Sequence, residues 1–158
     1  MPAGVSAHDF WNILPELVLT GGALVVLVAD VLLARGGSKG NALAWITLLV
    51  LGATLASLAP FVGVHEEVGR LIAVDGFALF FKIVFLVAAI ITVLMSVQYL
   101  QIEGASPGEY YFLILCATLG MMIMAAGIDL ITMFIGLETM AVSFYILAGF
   151  IKPNQRSN

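Results

Sequence analysis

Glu138 is a carboxylate set in a stretch otherwise suited to hydrocarbon. It stands in Asp129-Leu-Ile-Thr-Met-Phe-Ile-Gly-Leu-Glu138-Thr-Met-Ala-Val-Ser-Phe-Tyr145-Ile-Leu-Ala-Gly149. A helix begun at Leu130 carries Glu138 roughly 12 Å along its axis at 1.5 Å per residue. In a hydrocarbon core of about 30 Å that is close to the midplane. A carboxylate there costs at least ~2.5 kcal/mol on insertion scales, and such groups face a partner or a watered path. In a low dielectric the neutral form is favoured, so the charge of Glu138 depends on a neighbouring cation and can be switched. That is the chemistry of a proton or cation relay. The bland alternative is a neutral Glu138 that joins helices through a hydrogen bond.

A relay needs a second group. The helical neighbours of Glu138 are Phe134, Ile135, Ala141 and Val142, none of which can pair with it, so a partner must come from another helix. Lys82 is the one lysine inside an apolar span, seven residues after Asp75. Its stem can carry the ammonium back toward the interface, or it can meet an ion partner within the membrane. Its depth matches that of Glu138 poorly. Catalytic candidates are therefore Glu138, as a proton-pathway group, and more weakly Lys82.

Other residue types offer less. Met121, Met122 and Met124 lack the histidine or cysteine company of a copper site and read as packing or lipid-facing side chains. His65 lies among loop residues and reads as solvated rather than as a ligand. Cys116 stands alone, which excludes an internal disulfide, and its apolar setting suits a small packed side chain. No zinc or iron–sulfur spacing occurs, so neither a metal site nor a bound cofactor is expected. The short link Ala34-Arg-Gly-Gly-Ser-Lys-Gly40 lacks the spacing of a phosphate loop.

The elements that must position Glu138 follow from composition. Of 158 residues 62% are hydrophobic and 10% charged, with a mean hydropathy of +1.13. That excludes an ordinary soluble domain. Apolar runs of about 20 residues favour spanning helices over barrel strands, which would alternate in polarity. The fold class is all-α and polytopic, a single membrane domain over residues 1–158. Five spans are predicted at about 15–33, 41–61, 76–100, 107–126 and 130–151.

Along the chain, Pro15 and Glu16 suit the first turn of the first span, Glu16 complementing the helix dipole. Asp30 reads as an interfacial carboxylate near Arg35. Trp45 is an aromatic anchor, and Gly52 with Ala56 forms a small-xxx-small pair for a helix neighbour. Pro60 ends or bends the second span. Asp75 is a good N-cap for the third, and Tyr99 closes it at the interface. Ser106, Pro107 and Glu109 fit a capping box opening the fourth. The first residues carry no Lys or Arg before the first apolar run, so no secretory signal is expected. With the N-terminus outside, Arg35, Lys39, Lys152 and Arg156 fall on the cytoplasmic side and Arg70 outside, which satisfies the positive-inside rule and places the C-terminus in the cytoplasm. The net charge of −4 and the lack of a basic cluster give no sign of nucleic acid.

The run from Asp129 through Glu138 to Tyr145-Ile-Leu-Ala-Gly149 resembles the fifth helix of the antiporter-like membrane subunits of respiratory complex I. Within that group it is most similar to subunit N of the proton-pumping NADH:quinone oxidoreductase. Leu14-Pro15-Glu16-Leu with Asp30, and Val74-Asp75-Gly76-Phe77-Ala, support the resemblance, which covers essentially the whole chain. The resemblance implies that Glu138 is the membrane-embedded glutamate of a proton pathway, paired with a lysine on a later helix. NADH, flavin, iron–sulfur clusters and quinone would then belong to other subunits. Partners would be the other membrane-arm subunits and the lipid bilayer of a bacterial inner membrane. No such lysine helix follows Glu138 before Asn158, so the chain is expected to be the N-terminal part of a longer subunit. Ala141 stands where many relatives place serine, with Ser143 two positions later. Two other readings share these features: a subunit of a multisubunit cation/proton antiporter, and an inert membrane scaffold.

Overall fold

The structure is a computed structural model that describes residues 7–33, 39–68, 71–103 and 106–150. Helix α1 (Ala7–Asn12) leads into α2 (Leu14–Leu32); α3 (Lys39–Ser57) follows, and a single 3₁₀ turn, Ala59–Phe61, carries Pro60 where that helix ends. A small antiparallel hairpin, β1 (Glu66–Val68) and β2 (Ile72–Val74), precedes α4 (Gly76–Glu103), α5 (Pro107–Ala126) and α6 (Leu130–Ala148). Five of the helices are long and apolar enough to cross a membrane, so the chain is a multi-pass membrane protein. The last predicted residue of the fifth span, Ile151, and the charges Arg35, Arg70, Lys152 and Arg156 lie outside the described residues.

Local chemistry starts the helices. Asp75 accepts a hydrogen bond from the Ala78 amide at 2.8 Å and caps α4. Asp129 does the same for α6, accepting from the Thr132 amide at 3.2 Å. The Thr132 hydrogen bond holds the Asp129 carboxyl below its usual range. This cap therefore contributes fully above the ordinary carboxylate range and is lost as pH falls through the depressed value. Ser106 departs from expectation. Helix α5 opens at Pro107 as predicted, but the Ser106 hydroxyl makes no capping bond. Asp30 from the end of α2 lies against Gly108 in that first turn, so closely that a Cβ at 108 would overlap its carboxyl carbon. A carboxylate thus approaches the positive end of α5 from a neighbouring helix.

Helix α5 is the hub. It packs on α2, α3, α4 and α6, and half of its apolar window is buried. Helices α2, α3, α4 and α5 form a four-cornered bundle in which α3 and α5 also touch, while α2 and α4 stand at the far corners. Leu19, Val26, Leu43, Leu51, Leu86, Val93, Leu115 and Met122 fill it. Helix α6 lies outside that bundle, packed on α5, with 11% of its apolar window buried.

Two glycines explain that last contact. A Cβ on Gly120 would lie 2.6 Å from the Met140 nitrogen and 2.7 Å from the Gly136 oxygen. One on Gly136 would lie 2.7 Å from the Met124 nitrogen and 2.8 Å from the Gly120 oxygen. Backbones meet with no side chain between them, the geometry small residues permit in membranes. The expected pair Gly52 and Ala56 makes no such contact among the described residues: both are exposed, and Gly52 has open space beside it. The connection between α3 and α4 was expected to be a polar loop. It forms the hairpin instead, and the hairpin grips the turn between α5 and α6 through the Ile72–Gly127 bridge and the Ile128 amide, which donates to the Leu71 carbonyl at 2.9 Å. His65 beside it is exposed.

Replacing Gly136 by leucine would force α6 off α5. We expect Gly136→Leu to destabilise the folded protein by at least about 2 kcal/mol, within or above the usual range for overpacking, and Gly52→Leu to change little. Thermal unfolding of the two variants in detergent measures the difference.

Candidate functional site

The first turn of α2 and the second turn of α4 meet inside the bundle. Glu16 follows Pro15 at the start of α2, and Lys82 stands six residues into α4, about 9 Å from its start. Both helices begin at the hairpin end, so the two side chains reach each other across the long diagonal between α2 and α4. The Lys82 Nζ lies 2.7 Å from Glu16 Oε1, with 4% and 10% of the two side chains exposed. Lys82 therefore neither snorkels nor turns toward Glu138. Glu16 is more than a complement to the helix dipole: it is a buried counter-ion. Glu16 Oε2 has no hydrogen-bond partner among the described residues.

Around the pair the hairpin end is polar. Asn12, at the end of α1 and itself buried, donates to Glu66 Oε2 of β1 at 2.7 Å. A cavity of about 10 Å³ is walled by Asn12, Pro15, Leu58, Asp75, Leu79 and Lys82, among others. That is room for about one water molecule.

Glu138 has a different setting. It lies eight residues into α6, about 12 Å from that helix's start at the same end of the molecule. Counted this way the two candidates differ little in depth, contrary to expectation; direction separates them. Gly136 is pressed against α5, and two residues at 3.6 per turn rotate Glu138 by about 200°, so it points away from the bundle. Glu138 is exposed, and so are Phe134, Ile135, Val142 and Tyr145 around it. No cation is paired with it among the described residues. Ser143 is buried and donates to the Thr139 carbonyl at 2.8 Å, while Thr139 donates to that of Ile135 at 2.8 Å. Neither hydroxyl is spent on Glu138. Cys116 is free and half-buried, and no group of residues able to hold a metal ion occurs among the described residues.

Comparison with known proteins decides what kind of chain carries this arrangement. Subunit N 1 of NADH-quinone oxidoreductase from Koribacter versatilis is 41% identical over 170 aligned positions, covering 100% of this chain and 33% of that protein. Subunit N of Trichlorobacter lovleyi is 42% identical, covering 92% and 30% respectively. Subunit N 2 of Solibacter usitatus reaches 53% over 57% of the chain and 18% of its own length. This chain is a homologue of subunit N. It spans about a third of the length of the relatives it matches. No family model matches it. The relatives are, by name, subunits of an enzyme that acts between NADH and quinone.

The residue that sequence reasoning misread was Glu16. An acidic residue in a first helical turn is so common that its spacing carried no sign of burial. The available signal was arithmetic: Lys82 needed an anion at similar depth, and Glu16 starts a span from the same side.

Removing Lys82 alone would strand a buried carboxylate. We expect Lys82→Met to cost about 3–5 kcal/mol, and Lys82→Met combined with Glu16→Gln to cost far less, because a neutral pair of similar volume avoids desolvating ions. Chemical denaturation of the single and double variants checks the coupling.

Proposed function

We propose that this chain is a membrane-arm subunit of a proton-pumping NADH:quinone oxidoreductase, with Glu138 as a carboxylate of the proton pathway. Two things support the reading: the homology to subunit N over essentially the whole chain, and the position of Glu138. The second carries the mechanism. A carboxylate about 12 Å into a spanning helix, on a face that α5 leaves open, cannot rest against lipid at low cost. It calls for protein on its outer side that brings a cation or water.

In this reading the covering protein is a later part of the subunit or an adjacent membrane-arm subunit, and it supplies the lysine that makes the charge of Glu138 switchable. Oxidation of NADH, with its flavin, iron–sulfur clusters and quinone, takes place in other subunits. A change in charge or hydration along the membrane arm then moves Glu138 between its paired, ionised state and its protonated one. Electrons never need to reach this chain. Its orientation follows the charge bias: N-terminus outside, C-terminus in the cytoplasm, in a bacterial inner membrane.

The test is Glu138→Gln in the intact complex. We expect assembly and artificial-acceptor NADH oxidation to persist, while quinone reduction coupled to proton translocation falls several-fold. Glu138→Asp should retain part of it. Unchanged turnover and proton-to-electron ratio in the glutamine variant would remove Glu138 from the pathway.

A further inference from the structure

The ion pair Glu16–Lys82 has features that a passive helix clamp does not need. A clamp is best served by a fully satisfied pair, since every lone pair left unmatched in a low dielectric weakens it. Here one carboxylate oxygen meets Lys82 at 2.7 Å and the other, although buried, has no hydrogen-bond partner among the described residues. Beside Lys82 and Pro15 lies the cavity of about 10 Å³, whose walls include Asn12 and Asp75 at the hairpin end. Buried polar atoms without protein partners are commonly served by water. A water held there would lie between Lys82 and the polar groups Asn12 and Asp75.

We propose that Glu16 and Lys82 form a second protonation site of this chain, reached by water from the hairpin end past Asn12 and Asp75. The step is a simple transfer. Lys82, which lines the cavity, passes a proton to Glu16 and takes one from a hydronium ion there, so an O–H bond forms at the carboxylate as one breaks in the hydronium. The site then holds a neutral acid beside the Lys82 ammonium, and its net charge rises by one. The reverse step returns the proton to water. Among the described side chains few other charges bear on it. Asp75 lies on the cavity wall but is held by the α4 cap, and Glu66 is held by Asn12. On α3 the only charged residue is Lys39 and on α5 the only carboxylate is Glu109, each in the first turn at the opposite end of the bundle. Helix α6, with Glu138, packs on α5 instead. The pair is thus a local switch between α2 and α4, independent of Glu138 in position. Its use in pumping rests on the function proposed above; its protonation does not.

Infrared pH-difference spectroscopy of the purified complex tests it directly. The protonated-carboxyl stretch that appears on acidification should lose a component in Glu16→Gln, and Glu16→Asp, which keeps the ion pair, should shift that component rather than abolish it. Lys82→Met should move the pH at which it appears. Identical difference spectra in wild type and Glu16→Asp would mean that the pair stays ionised throughout, and the proposal would fall. If the single neutral variants do not assemble, the double variant Glu16→Gln with Lys82→Met is read in the same way, the lost band supporting the proposal and an unchanged one ending it. A normal Glu138→Gln phenotype would overturn the relay at Glu138 and leave these spectra as they are.

Discussion

Hydrocarbon donates no hydrogen bonds and screens charge poorly, and each polar feature of this chain answers to that constraint. Backbone groups are satisfied within five long helices. The hydroxyls inside them turn back on their own helix: Thr20, Thr47, Thr54, Thr92 and Thr118 each donate to a carbonyl four residues earlier, at 2.7–2.8 Å. These bonds hide polarity without joining helices. Adhesion is left to apolar packing, to glycine contacts, to a few charges and to rare bonds near helix ends, such as that from Gln101 on α4 to Asn41 on α3 at 2.8 Å. Each charge inside the described spans therefore has to find an answer of its own.

Three cases occur. Lys82 and Glu16 neutralise one another within the bundle. Asp30 uses the first turn of α5, where Gly108 leaves space for the carboxylate and the helix dipole favours it. Glu138 has no such answer among the described residues and faces outward. The first two hold α2 to α4 and to α5 respectively, so they join a framework. The third sits on the one long helix that the framework barely covers. A carboxylate placed that way joins no helices among the described residues, and against lipid it would be costly.

Much of this was legible in the sequence, for reasons that can be named. Helix positions followed from apolar runs bounded by Pro15, Pro60, Asp75, Pro107 and Asp129, because capping chemistry and membrane thickness are local properties. The place of Glu138 within the fifth long helix was legible for the same reason. What escaped depends on rotation about helix axes. Glycine spacing suggested Gly52 and Ala56 as a contact, whereas the backbones meet at Gly120 and Gly136. Ser106 looked like a cap, but Asp30 arrives from another helix and takes the place beside Gly108. Glu16 looked ordinary until Lys82 was seen to reach it. A one-dimensional pattern states what each helix can hide, not which helix it will hide it against.

The Gly136-Leu-Glu138 triplet joins these levels. Glycine at 136 lets α6 lie against the α5 backbone, and the helical twist then turns residue 138 about 200° away. The orientation of the carboxylate is thus set by a residue with no side chain, two positions before it. Moving the glycine by one residue would rotate Glu138 by about 100° and spoil either its outward direction or the crossing. Glu16 and Lys82 are fixed differently, by two helices that start at the same end and lean across a bundle held together by α5. One chain therefore carries two acidic groups whose surroundings are opposite: Glu16 is enclosed with its cation, and Glu138 is exposed with no cation beside it among the described residues. Lys82 is spent on Glu16, so the one lysine inside the described spans is not a partner of Glu138.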